Sequence, residues 1–125
     1  MSTLAELLQQ LESNPRDARL LTKLGELHHQ RGEIPLAAEA FRRLAEVYAA
    51  DAYFLKAIAV AKQAIKFDPH LIDLQVQVAD WLHQLELWDE GDEYLLMAEK
   101  GFLDANRPEE AAAVRSRIDA PKKEA

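Results

Sequence analysis

Apolar residues return at helical intervals along almost the whole chain, and prolines break them at regular places. Leu4, Leu7, Leu8 and Leu11 make one stripe, and Leu20, Leu21, Leu24, Leu27 and His28 the next; no β-branched alternation is long enough for a strand. Pro15, Pro35, Pro69 and Pro108 each stand where a helix should begin, because a first-turn residue has no intrahelical use for the N–H that proline lacks. Asn14 and Asp68 are the expected N-caps beside two of these prolines, and Thr3 with Glu6 reads as a capping box. The spacing predicts about seven helices, at 3–13, 16–31, 34–50, 52–67, 69–85, 88–102 and 107–118. Links of a few residues require successive helices to run antiparallel. The fold class expected is therefore all-α, built from helix hairpins.

The sequence also repeats itself. Gly25, Ala45 and Ala79 stand at one fixed distance after Pro15, Pro35 and Pro69, and each is preceded by an apolar residue, in Leu24-Gly25, Leu44-Ala45 and Val78-Ala79. A small residue at that place lets a neighbouring helix cross closely. The first unit reads Leu21-x2-Leu24-Gly25-x2-His28, followed by Ala37-x3-Phe41. The second reads Phe41-x2-Leu44-Ala45-x2-Tyr48, then Ala57-x3-Ala61 and Phe67-Asp68-Pro69. The third reads Gln75-x2-Val78-Ala79-x2-Leu82, then Gly91-x3-Leu95-x2-Ala98. Over residues 16–100 the chain resembles the tetratricopeptide repeat (TPR) family, in the manner of a small bacterial-type member. The resemblance implies a right-handed solenoid of antiparallel hairpins. It divides the chain into one domain over 1–119, with a capping helix at 3–15, repeats at 16–100, a second cap at 107–118 and a flexible tail at 120–125. From Phe41 to Gln75 the third unit follows the second at the family period, whereas from Leu21 to Phe41 the second follows the first at a much shorter step. Helix 34–50 thus fits both as the second helix of one unit and as the first of the next, and both readings stay open.

Composition narrows the function classes. The 125 residues include no cysteine, which excludes disulfides and cysteine-bound zinc. No apolar run is longer than Ala57–Ala61, and Met1-Ser2-Thr3-Leu4-Ala5-Glu6 lacks a basic leader, so a cytoplasmic protein without membrane insertion is expected. The formal charge of −7 disfavours nucleic acid as a partner, and Arg42-Arg43 lies too close to Glu39 and Glu46 to make a basic patch. The charge is uneven: residues 67–99 hold nine acidic side chains and no basic one. The helix dipole accounts for Asp89, Glu90, Asp92 and Glu93 near a helix start. It does not account for Asp73, Asp80 and Glu86, and a field of one sign suits a basic partner.

Catalytic sets are hard to assemble. Ser2, Ser13 and Ser116 sit in no nucleophile elbow, and Gly25, Gly32, Gly91 and Gly101 are too scattered for a phosphate loop. Two acidic-x-x-His steps, Glu26 to His29 and Asp80 to His83, place a carboxylate and an imidazole on one helix face at equivalent places of the repeat. They lie far apart in the sequence, and a di-metal site would want further carboxylates from two more helices, so neither metal nor any other cofactor is expected. His28, standing where the repeat has an aromatic, reads as a packed and hydrogen-bonded histidine. Trp81, Trp88, Tyr94 and Met97 fall at helical spacing and read as packing residues.

By the resemblance, the first helix of each repeat lines a concave groove that holds a partner's peptide or helix. The matching positions are Arg19, Thr22, Lys23, Glu26, His29 and Gln30 in the first unit, and Asp73, Val76, Gln77, Asp80, His83 and Gln84 in the third. Glu39, Arg42, Arg43 and Glu46 join them if helix 34–50 also faces the groove. The family's carboxylate clamp needs Lys and Asn where this chain has Thr22 and Glu26. The function expected is a non-catalytic interaction module for a basic or amphipathic protein segment, with a homodimer compatible with that reading. The alternatives are a secretion or assembly chaperone that shields a partner helix and, further off, a helical metal-binding enzyme.

Overall fold

Two of the four prolines expected to open helices do so. Pro35 and Pro108 stand in the first turns of α3 (Ile34–Ala50) and α7 (Pro108–Asp119). Pro15 and Pro69 lie in links instead, and α2 (Ala18–Gln30) and α5 (Ile72–Gln84) begin shortly after them. A proline pushes the residue before it out of the α region. Asn14 and Asp68 accordingly close α1 (Leu4–Ser13) and α4 (Phe54–Phe67) at φ −136° and −139°, so both are C-caps and not the N-caps expected. The N-cap of α2 is Asp17, whose carboxylate accepts the Leu20 N–H at 3.0 Å. Thr3 caps α1 as expected, accepting the Glu6 N–H at 3.1 Å.

The computed structural model describes residues 3–120; most of the tail expected at 120–125 lies outside the described residues. Among the described residues there are seven helices and no strand, α6 (Trp88–Asp104) completing the set. Four of the turns share one backbone design. Gly32, Ala52, Glu86 and Asn106 take positive φ, between 59° and 74°. The next N–H then reaches back to the carbonyl five positions earlier: Glu33 to His28, Tyr53 to Tyr48, Leu87 to Leu82 and Arg107 to Phe102, all at 2.8 or 2.9 Å. This 6→1 bond closes a helix through a left-handed residue.

The turns also show what repeats. Helices α2, α3 and α4 start at Ala18, Ile34 and Phe54, and α5, α6 and α7 start at Ile72, Trp88 and Pro108, every start displaced by the same amount. The short and the long step found in the sequence are thus parts of one three-helix period. Helix α3 packs on both α2 and α4, so both readings of helix 34–50 correspond to real contacts.

The helices gather into two compact units, residues 1–69 and 70–125. In the first, Leu7 and Leu11 of α1 meet Leu20, Leu21 and Leu24 of α2 and Ala40, Leu44 and Val47 of α3. In the second, Ala79 of α5, Leu95, Ala98 and Phe102 of α6, and Ala111 and Val114 of α7 form the core. Trp81 is buried, as expected of a packing residue, but Met97 is 45% exposed, on the outer face of α6. No helix among the described residues is long and apolar enough to cross a membrane.

Candidate partner-binding face

The expected binding residues of the first unit lie on α2 and α3, and those of the second on α5. On α2, Arg19, Lys23, Glu26, His29 and Gln30 are wholly or partly exposed, while the Thr22 hydroxyl donates to the Ala18 carbonyl at 2.8 Å. On α3, Arg42 is held by Glu39 and by Glu46, the latter at 2.7 Å, all on its own helix. These carboxylates keep the Arg42 guanidinium more firmly protonated than usual, the hydrogen bonds to Glu39 contributing most. Arg43 reaches the Pro15 carbonyl at 3.4 Å. The His29 ring, exposed to solvent, lies beside that of Phe67 of α4, with centroids 4.9 Å apart. His28 is buried and its Nδ1 lies 2.9 Å from the Glu33 carboxylate, as expected of a packed histidine.

The second unit is charged differently. Residues 1–69 carry nine basic and nine acidic side chains, and residues 70–125 carry six and thirteen, so the formal charge of −7 belongs entirely to the second unit. On α5, Asp80 is exposed and His83 half-buried, and Val76 and Gln77 are half-buried as well. Val76, partly buried, packs against the core formed by α5, α6 and α7. His83 occupies the space a side chain at Gly91 would need. Its ring lies 5.0 Å from that of Trp88, centroid to centroid. Its Nε2 stands 3.2 Å from the Asp92 carboxylate, in ion-pair range for a protonated ring.

All three arginines of the second unit meet its carboxylates. Arg117 bonds Asp80, and Arg115 lies 3.5 Å from Glu99. Arg107 donates to Glu110 at 2.6 Å. That bond is the main reason the Arg107 guanidinium is held protonated more strongly than usual, with the Asp73 charge adding to it. Sequence reasoning missed this internal pairing, because Asp80 and Arg117 stand on different helices far apart along the chain. Solvent screens each of these pairs, so each contributes little to stability.

Asp80, His83, Gln84, Glu86 and Trp88 line an open hollow of about 550 Å³. A second, of about 320 Å³, is lined by Glu86, Leu87, Trp88, Asp89 and Glu90. Trp88, expected only to pack, therefore stands between two acid-lined depressions. Carboxylates around an indole suit a cation or an aromatic group with a cation beside it. No sequence signal marked this site, since Glu86 takes its left-handed conformation without a glycine or asparagine to announce the turn. Among the described residues, no three His, Asp or Glu side chains stand close enough to hold a metal ion, and the two acidic-x-x-His steps fall in different units.

No protein-family model matches the chain, and no curated protein matches it in sequence. Twelve solved chains match it. Among them, the crystal structure of MamA has a TM-score of 0.51 at 15% identity, over 92% of this chain and 84% of that one. At that identity the likeness bears on the fold. MamA is a TPR-like helical protein, and the fold of this chain is all-α and TPR-like.

Proposed function

We propose that this protein is a non-catalytic interaction module that holds a basic or amphipathic segment of a partner protein, and that it works in the cytoplasm as a small bacterial-type TPR protein. One observation carries the reading. The unit that holds all the net negative charge also holds an open hollow walled by Asp80, Glu86 and Trp88, at whose edge the chain's own Arg117 already bonds Asp80. A carboxylate that accepts one guanidinium will accept another of similar approach. The helical fold supports the reading by analogy, since such hairpins expose long side-chain rows along their first helices. The partner's basic residues compete with Arg117, so the module engages them with moderate strength and strong salt dependence.

The test is affinity for a captured partner segment, measured by titration calorimetry across a range of ionic strength. Affinity should fall steeply with salt. Asp73→Lys with Asp80→Lys should weaken binding by at least about tenfold, and Arg117→Ala, which leaves Asp80 to the partner, should strengthen it by about threefold. Affinity indifferent to salt and to all three substitutions would overturn the proposal.

A further inference from the structure

The three-helix period makes each helix of the first unit a control for its counterpart in the second. Helices α3 and α6 hold the same place, and their outer rows differ. In α3 the row is closed on itself, for Arg42, beside Arg43, is gripped by Glu39 and Glu46. In α6 the carboxylate of Glu39 returns as Glu93, but Leu96 and Met97 stand where α3 has the two arginines, and Leu103 where it has Ala49. Lys100, in the place of Glu46, pairs with Asp104 instead. Glu93 is thus exposed without the arginine that its counterpart holds. Leu96 and Met97 are each 45% exposed and Leu103 56%. A single exposed leucine needs no explanation, but three large apolar side chains on the outer side of one helix do. Asp89, which lines the second hollow, precedes Leu96 by the same two turns by which Leu96 precedes Leu103, so the row runs on from that hollow.

We infer that the outer row of α6 docks an amphipathic helix of the partner, whose apolar residues cover Leu96, Met97 and Leu103 and whose arginine or lysine takes at Glu93 the place that Arg42 takes at Glu39. Charge decides the occupant. The exposed charged groups along the row are Asp89, Glu93 and Asp104 against Lys100, which Asp104 already engages. A second copy would set one net negative row against its like, whereas a basic helix meets attraction. A helix is the form that suits the row, because Asp89, Leu96 and Leu103 recur at the heptad interval at which one helix meets another. The inference rests on the partner-binding reading above and gives the segment held a shape.

The probe is a capped alanine-based helical peptide with leucines at i, i+3, i+4 and i+7 and arginines on both sides of that row. It is titrated into the full chain at low salt and followed by methyl NMR. The methyl groups of Leu96, Met97 and Leu103 should shift saturably, with a Kd of about 0.1 mM. A peptide of the same composition with its leucines scattered around the helix, and one with glutamates for the arginines, should each bind at least about tenfold more weakly. Leu96→Arg with Met97→Arg writes the row of α3 onto α6 at positions the core does not use, and should weaken the peptide at least about tenfold. Glu93→Gln should reduce the preference for arginine over glutamate and keep that for ordered over scattered leucines. Equal binding of the ordered and scattered peptides, shifts confined to other residues, unchanged affinity in the double variant, or no binding at about 2 mM would each overturn the docking row. So would a dimer that Leu96→Arg dissolves, since a second copy would then be the occupant. Failure of the functional reading looks different. If the ordered peptide binds at Leu96 and Leu103 while a captured partner's affinity ignores Asp73, Asp80 and Arg117, the docking row stands and the reading built on the hollow falls. If that affinity follows Asp80 and the peptides do not discriminate, the reverse holds.

Discussion

The ring of Phe41 lies over Gly25, so that a β-carbon at Gly25 would meet its Cε1 at 2.6 Å. The ring of Phe67 neighbours it at a centroid distance of 6.0 Å. Gly25→Ala should therefore destabilise the protein by about 1–3 kcal/mol through overpacking. Phe41→Leu in the Gly25→Ala background should recover part of that loss, whereas Phe41→Leu alone should cost stability. Urea unfolding of the four proteins measures the coupling, and strictly additive effects would contradict the contact.

The His28–Glu33 pair ties the end of α2 to the start of α3. The imidazole is buried, its Nδ1 is 2.9 Å from the carboxylate, and the Glu33 N–H also donates to the His28 carbonyl at 2.9 Å. Removing the carboxylate leaves a buried ring nitrogen without this partner. Glu33→Ala should lower the melting temperature, and Glu33→Gln should lower it less, because the amide can still bond the ring. Thermal unfolding followed by circular dichroism ranks the two variants.

Ala52 holds a φ of 63°, a conformation that disfavours any residue with a β-carbon. Its counterpart in the preceding turn is Gly32 at 74°. Ala52→Gly should stabilise the protein by about 0.5–1 kcal/mol, the relief of strain exceeding the extra freedom of the unfolded chain. A midpoint of urea unfolding lower than that of the parent would count against the turn geometry.

Three carboxyls are more acidic in the folded protein than the ordinary 4.5: Glu39 through hydrogen bonds from Arg42, Glu33 through those from His28 and then Arg31, and Glu110 through those from Arg107. Above that ordinary value these groups are ionised in both states and their contribution is full. As the pH falls below it the unfolded chain takes up protons first, so stability declines, and the contribution is gone once the pH passes the lowered folded values. The melting temperature should hold down to about pH 5 and fall below it. In the triple variant Glu33→Gln, Glu39→Gln and Glu110→Gln the decline should be shallower; an unchanged slope would assign it to other groups.

Helix type and number were legible because apolar spacing and short links constrain them locally. Helix 34–50 appears with the expected limits, and Pro108 opens the last helix. Pro15 and Pro69 misled because the same residue can stop one helix or start another. Only the competing cap, Asp17, or the extended geometry forced on Asp68 decides between them. The surroundings of Asp80 were legible only in part. Sequence spacing put Asp80 and His83 on one helix face, and they do line one hollow. That Arg117 would bond Asp80 depends on how α7 packs back, which no local pattern encodes.

The most extensive packing in each unit is between helices that follow one another along the chain. A chain closed mainly by neighbours gives up little loop entropy before each new contact is rewarded, so its search for the native state is short. Such proteins refold in microseconds to milliseconds. Energy lost at one crossing, such as that of Gly25 and Phe41, should then be felt chiefly by the adjoining helices and fade along the array. Within the first unit, the leucine-rich core that α1, α2 and α3 share thus answers first to substitutions at its own crossings.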